Sequence, residues 1–387
     1  MSVRKRGKGW EIVIELKDEN NKRHQKTFMF YGTKPEARLE EARLKVAYQM
    51  GITTKGKMTL EQFMLQWLEV HKKRTLAIRT YESYKETIEV HIAKDIIGQK
   101  QFDRIKPAEI KGYYNRKLDQ GLSSTSVLYH HRILHAAYNR AVKDRILPFG
   151  MNPLAAVEPP QKADFKPFEF KPEQMAYIIM NSDTKMQIAI IVSAMTGTRA
   201  GETCGLRWPD VDFDKMTVFI HKSRKKENGK HVLGTTKNKK ERYVPLTPGL
   251  AEILKWHKQN QEDHKAVYKK EYNDEQYILA WEDGRPYLPH YLTDKFTKIV
   301  KDLEFPGEPT FHACRHFFAS SMHNAGASDK MITDVLGHGP KDTNKTTAIY
   351  IHTQLEAMRQ YIEWLDDSVL KGLLENINAH KTAHKDE

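Results

Sequence analysis

Between Leu147 and Phe170 the chain reads LPFGMNPLAAVEPPQKADFKPFEF. Proline has no amide to donate, and its ring collides with the preceding helical turn, so a run this rich in proline cannot continue a helix. Helical periodicity stops here. A chain of 387 residues interrupted in this way is expected to fold as separate domains, with its best boundary in this segment.

Before the break lie two regions of different period. Residues 8–31 alternate apolar and polar side chains (Trp10, Ile12, Ile14, Leu16), pass through the polar turn KDENNKR and enter a second β-rich run, the pattern of a hairpin. GTKPEARLEEARLKVAYQ follows as a helix, with Thr33 before Lys34 and Pro35 and with Glu36 placed for a capping box. Arg4, Lys5, Arg6, Lys8, Lys22, Arg23 and Lys26 sit on or beside the hairpin, where they can follow phosphates or form a flexible basic tail.

The short polar linker GITTKGK leads to Thr59, which opens TLEQFMLQWLEVHKK as a second capping box with Gln62. Leu60, Phe63, Met64 and Trp67 recur at helical spacing, and further helices are expected at about 78–93, 106–119 and 123–146. This middle part reads as all helical. Its last helix mixes core positions with His130, His131, Arg132, Arg140, Lys143 and Arg145, giving a cationic outer face suited to a DNA backbone or to solvent.

Lys and Arg outnumber Asp and Glu 63 to 50, a formal net charge of +13, which favours a polyanionic partner. Cys204 and Cys314 cannot build a disulfide framework, and sparing use of cysteine fits a reducing cytosol. No apolar run approaches the roughly 18 residues of a spanning helix, and the N-terminus lacks a signal-peptide apolar core. A cytoplasmic protein without a membrane partner is expected.

The chemistry-bearing residues follow the break. IAIIVSAMTGTRAGETCGLRW runs an apolar helix into Gly197, then sets Arg199 and Glu202 three apart, on one helical face. A phosphate held by Arg199 and oriented by Glu202 fits this fragment, as does an ordinary salt bridge at a helix start. TTKNKKERYVPL crowds Lys237, Lys239, Lys240 and Arg242 at a turn between strands, within reach of a groove or a leaving group, or simply solvated. HACRHFFASSM puts His312 and Arg315 at i and i+3, facing one side, while Phe317, Phe318 and Met322 can face the core. His312, Cys314 and His316 do not converge on one helical face, and no second pair has zinc-like spacing, so no metal is expected. MITDVLGHGPKDTNKTTAIYIH carries His338 on a Gly-flanked turn and Tyr350 in a Thr-rich segment; alone, one of 17 tyrosines would be read as packing.

Taken in order, Arg…Lys…His-x-x-Arg…His…Tyr resembles the tyrosine recombinase family, the phage-integrase type of site-specific recombinase. The matching stretches are TGTRAGE, TTKNKKERYVPL, HACRH, LGHG and AIYIH. Each is short; jointly and in order they are specific. The resemblance extends to the N-terminal pieces and implies a multidomain α+β chain. Residues 1–55 would be a small β-sheet-plus-helix arm-type DNA-binding domain and residues 58–160 an all-α, SAM-like core-binding domain. Residues 168–387 would be a mixed, mainly α catalytic domain with a small β-sheet and a C-terminal tail.

The implied reaction is transesterification at a DNA phosphodiester, with integration and excision of a phage or conjugative element through a Holliday junction. Tyr350 would attack phosphorus and form a 3′-phosphotyrosyl bond. Arg199 and Arg315 would bind the non-bridging oxygens in fork geometry, supported by Glu202. Lys237, selected over Lys239 by counting back from RYVPL, would protonate the departing 5′-oxygen. His312 would accept or relay the tyrosine proton, and His338 would hydrogen-bond the phosphate. Lys239, Lys240, Arg132 and Arg140 would join the N-terminal cations in holding DNA. Bond energy is conserved, so neither ATP nor any other cofactor is implied, and the cationic side chains stand where a metal acts elsewhere.

Implied partners are double-stranded DNA at core-type and arm-type attachment sites, three further copies in a homotetramer, an excisionase and a DNA-bending host factor. The tail LEAMRQYIEWLDDSVLKGLLENI spaces Met358, Ile362, Leu365, Val369, Leu370 and Leu373 helically, for docking on a neighbouring subunit or on its own domain. A type IB topoisomerase, a cell-encoded Xer-like dimer resolvase and a catalytically silent DNA-binding regulator are the alternatives. The arm-like residues 1–55 argue against the first two and the complete residue set against the third.

Overall fold

The computed structural model describes residues 3–17, 23–49, 58–163, 168–227, 230–236, 240–337 and 355–383. Two compact units part between Phe165 and Lys166, and each is considered by itself.

In the first unit, β1 (Val3–Arg6), β2 (Gly9–Lys17) and β3 (Arg23–Phe30) form an antiparallel sheet in the order β1-β2-β3. Alternation puts Val3, Ile12 and Ile14 on one face, where they bury against Ala37 and Leu44 of α1 (Lys34–Gln49). The basic run VRKR, read from the sequence as a cationic flank, is itself a strand. Gly7 turns the chain with φ 60°, a left-handed conformation that glycine adopts without strain, and Val3 then falls opposite Ile12. At the start of α1 the Thr33 amide donates to Glu36 at 2.8 Å.

The rest of this unit is helical: α2 (Leu60–Trp67), α3 (Ile78–Glu86), α4 (Pro107–Asp119) and α5 (Ser124–Lys143), with α2 and α3 running on through wider π turns. Thr59 and Gln62 close the expected capping box, and Ser123 caps α5 by accepting from the Ser126 amide. Leu60, Phe63, Met64 and Trp67 bury with Ile110, Ile133, Leu134 and Tyr138. His130 departs from the cationic face drawn from the sequence: it is buried, 2.9 Å from the Tyr113 hydroxyl. Burial, with the nearby His91 and Lys117, pulls its imidazole down to about 4, so it is neutral at pH 7.

The second unit opens with α6 (Pro172–Met180), α7 (Thr184–Thr196) and the short α8 (Ala200–Thr203). Next come β4 (Val211–Asp212), β5 (Thr217–Ile220), β6 (Lys222–Glu227), β7 (Lys230–Thr235) and β8 (Arg242–Pro245). Helices α9 (Pro248–Tyr268), α10 (Pro289–Asp302), α11 (His312–Asn324), α12 (Asp329–Leu336) and a last one, Lys371–Ala383, complete it. Strands β4-β5-β8 form one sheet and β6-β7 a separate ladder. Helix α7 is apolar all round, and Ile188 to Thr196 are all buried, so it forms the axis on which the others pack.

The tail closes the same core. Met358, Ile362, Leu365, Val369, Leu370, Leu373 and Ile377 all bury within this unit. Asp366 caps α9, accepting from Thr247 Oγ1 at 2.6 Å and from the Gly249 amide at 2.7 Å. Of the two dockings the sequence allowed, this structure has the tail on its own domain. Among the described residues no helix is long and apolar enough to cross a membrane.

Candidate active site

The site begins where α7 ends. Gly197 is left-handed (φ 63°), and its amide donates to Ser193 O at 2.9 Å, a C-terminal cap. A methyl group there would come within 2.6 Å of Phe318 and 2.8 Å of Leu336, so glycine is required by space as well as by conformation. Hydroxyls in and just before TGTRAGET then set the turn. Ser193 Oγ donates to Thr198 O at 2.9 Å, Thr198 and Thr203 share a hydroxyl contact of 2.8 Å, and Thr203 Oγ1 donates to Arg199 O at 3.0 Å.

Arg199 is not inside a helix, as the sequence suggested, but is the extended N-cap of α8. Glu202 reaches back to it twice: Oε2 accepts from the Arg199 amide at 3.1 Å and Oε1 from Nη1 at 2.9 Å. Behind α8, Gly201 lies so close to β6 that a methyl would sit 2.6 Å from Arg224 O, which fixes the depth at which Glu202 enters the core.

Helix α11 brings the second guanidinium. Arg315 is 2% exposed and turns inward, donating to Gly197 O, 118 positions away in sequence, and to Leu336 O at 2.6 Å. It thus ties the C-terminal ends of α7 and α12 together, with Nη1 3.8 Å from Glu202. Phe317, Phe318 and Met322 bury as expected. His312 does not share the environment of Arg315: it is exposed on the first turn, edge-on to His316 with ring centroids 4.7 Å apart. Burial, then the charge of Arg315, holds the His316 imidazole below its ordinary range. Cys314 and Cys204 are free and fully buried, and burial pushes both thiols far up, so neither is a nucleophile at neutral pH.

A third guanidinium, from Arg242 on β8, donates to Glu202 Oε2 at 2.8 Å and is buried. Within the cationic turn, its residue type alone assigned it no separate role. The available signal was strand alternation, because Arg242 and Val244 share the inward face while Tyr243 points out. Burial pushes the Glu202 carboxyl up, but the charge and hydrogen bond of Arg242, with Arg199, outweigh it and hold the carboxyl below its usual range. Arg315 is pulled down to about 9, first by burial and then by Arg199, and remains charged at pH 7. Three cations around one carboxylate leave the cluster positive, the electrostatics of an anion site.

Arg199, Glu202 and Arg315 therefore come together, and His312 stands on the same helix as Arg315. The Lys240 carbonyl accepts from Thr236 Oγ1 at 2.8 Å. Lys237, Lys239, His338 and Tyr350, and Lys22 of the N-terminal hairpin, lie outside the described residues. Of the other cations assigned to DNA, Arg4 and Arg6 both pair with Glu11, Lys5 is exposed, and Arg23 and Lys26 stand on β3. Arg132 is exposed, and Arg140 pairs with Asp144 at 2.8 Å.

Comparison with known proteins follows the same division of the chain. The model of the phage integrase family matches residues 169–356, and that of the phage integrase N-terminal SAM-like domain matches residues 59–118. A protein named tyrosine recombinase XerC-like from Caldanaerobacter subterraneus subsp. tengcongensis is 26% identical, over 92% of this chain and 96% of its own length. The ICEBs1 integrase of Bacillus subtilis is also 26% identical, over 87% of this chain and 90% of its own. Among solved structures, the Tn1549 transposon integrase in complex with a circular intermediate DNA shares the fold, with a TM-score of 0.63 at 19% identity over 79% of this chain and 95% of that one. The mostly helical second unit with its small sheets, the arginine pair on Glu202 and these matches agree: the chain belongs to the phage integrase family of tyrosine recombinases.

Proposed function

We propose that this chain is the integrase of a mobile genetic element, a site-specific DNA recombinase that inserts and excises the element by cutting and rejoining strands. The observation that carries the reading is the convergence of Arg199 and Arg315, from distant parts of the chain, on the buried Glu202. A guanidinium fixed by burial and by backbone carbonyls is already oriented when a phosphate arrives, so little reorganisation remains for the transition state.

In the proposed reaction the Tyr350 oxygen attacks the scissile phosphorus while the bond to the 5′-oxygen breaks. The tyrosine proton passes to His312, and the departing 5′-oxygen takes a proton from Lys237. Negative charge gathering on the non-bridging oxygens is met by Arg199 and Arg315, with His338 as a further donor. The product is a 3′-phosphotyrosyl bond and a free 5′-hydroxyl. Attack by a 5′-hydroxyl from the partner duplex reverses these steps and joins the new strands.

Residues 1–55 serve arm-type sites, 58–160 core-type sites and 168–387 the chemistry. The working assembly is a homotetramer on two duplexes, with an excisionase and a DNA-bending factor setting direction. Recovery of protein-linked DNA tests the central step. Wild type and Tyr350→Phe are expressed in cells carrying the element, lysed in denaturant, and the ends of the attached DNA sequenced. Discrete ends with wild type alone are expected. An adduct that persists in Tyr350→Phe, or none at all from folded wild type, would overturn the reading.

A further inference from the structure

We infer that Arg242 is a positioning residue of the phosphate site, acting through Glu202 on Arg199 and Arg315; the inference rests on the recombinase reading above. Arg242 is the first residue of β8, opposite Ile220 in the ladder, and its side chain is 7% exposed. It does not stand where DNA could touch it freely. What it touches is the carboxylate that the clamp shares: Glu202 Oε2 takes Arg242 Nη2 at 2.8 Å and the Arg199 amide at 3.1 Å, and stands 3.8 Å from Arg315 Nη1.

Without Arg242, Oε2 would lose its nearest side-chain donor, and the carboxylate would be free to swing toward Arg315 or Arg199. Either movement turns a guanidinium away from the approaching phosphate. Charge points the same way. A phosphodiester carries one negative charge and gathers a second in the pentacoordinate state, and the third guanidinium lets Glu202 orient the clamp without neutralising it.

One further contact and one unmet donor fit this role better than that of a simple buried ion pair. Arg242 packs under the left-handed turn that ends α12, where a methyl on Gly337 would lie 3.4 Å from its Nη1. Its Nε is buried with no acceptor among the described residues. Leaving a buried donor unmet is unfavourable, and a residue kept only for stability would be better replaced by an apolar one.

The test uses the full chain and a core-site duplex taken from the sequenced ends, with either the natural phosphodiester or a methylphosphonate at the scissile position. Arg242→Gln and Arg242→Lys are compared with wild type for duplex affinity and for the initial rate of covalent adduct. Affinity is expected to change less than about twofold, since a side chain only 7% exposed offers little surface to a phosphate. Adduct formation on the phosphodiester should fall about 10²-fold in Arg242→Gln and less in Arg242→Lys. On the neutral methylphosphonate, which asks less of an aligned cationic clamp, the loss should shrink at least about tenfold. Equal losses on both duplexes would mark Arg242 as merely structural and overturn the inference, as would no loss on either. If Arg242→Gln fails to fold, the same comparison of substrates in Arg242→Lys decides. Absence of adduct from wild type on the phosphodiester would sink the recombinase reading itself.

Discussion

Glu11 in the N-terminal sheet and Glu202 in the second unit look alike: each is 1% exposed and each takes hydrogen bonds from two arginines. They differ in where the cations come from. At Glu11 both arginines lie on β1, Arg4 directly opposite in the ladder and Arg6 beside it, with side chains 65% and 71% exposed. At Glu202 they come from the N-cap of α8, from β8 and from α11, with side chains 23%, 7% and 2% exposed. The first is a cross-strand pairing whose arginines lie in water over a covered carboxylate; the second is a buried cluster whose geometry the whole unit maintains. Water screens the first and leaves its arginines free to exchange Glu11 for phosphate, whereas the second is oriented beforehand.

The sharpest way to break this contrast is to remove each carboxylate. Glu202→Ala leaves buried guanidiniums facing one another, which should destabilise the second unit by about 3–5 kcal/mol and abolish adduct formation. Denaturant midpoints and a cleavage assay check both. Glu11→Ala should barely move the midpoint, and a large loss there would erase the distinction. Next in size is Arg315→Lys, which keeps the charge but loses the fork that spans Gly197 O and Leu336 O. Adduct formation should drop about 10²–10³-fold, while Arg4→Lys leaves it unchanged. Gly197→Ala, strained at positive φ and pressed against Phe318, should cost about 1–3 kcal/mol by thermal unfolding.

The smallest effect is in pH. Both carboxyls are held below their ordinary range, Glu11 chiefly by the hydrogen bond from Arg4 and Glu202 by Arg242 and Arg199 against the push of burial. A depressed folded value means stability that is present above the unfolded value, near 4.3, and is lost as pH falls through the folded one. Acid titration of stability should therefore steepen below about pH 4 in wild type and flatten in Glu202→Gln, with little change in Glu11→Gln.

The same contrast separates what was readable in the sequence from what was not. The caps at Thr33 and Thr59, the alternation of β2 and the apolar face of α2 were legible because each rests on bonds or neighbours within a few residues. So were the residue types of the site, since an arginine pair, a carboxylate and flanking histidines suit phosphate chemistry wherever they fold. The strand VRKR was missed because its charge outweighed the alternation of four residues, and His130 because nothing local tells an inward histidine from an outward one.

By itself, then, the sequence determined the helices and hairpin, the family and the residue types from which the candidates are drawn. Only the tertiary structure decided that Arg315 points inward to Gly197 O while His312 stays exposed, that Arg242 joins Glu202, and that the tail closes its own core. The physical reason is range. Helix and strand periods are written in adjacent residues, whereas a carboxylate between three arginines depends on how α7, α8, β8 and α11 pack, and that packing is fixed by the summed burial of a core spread over the entire unit.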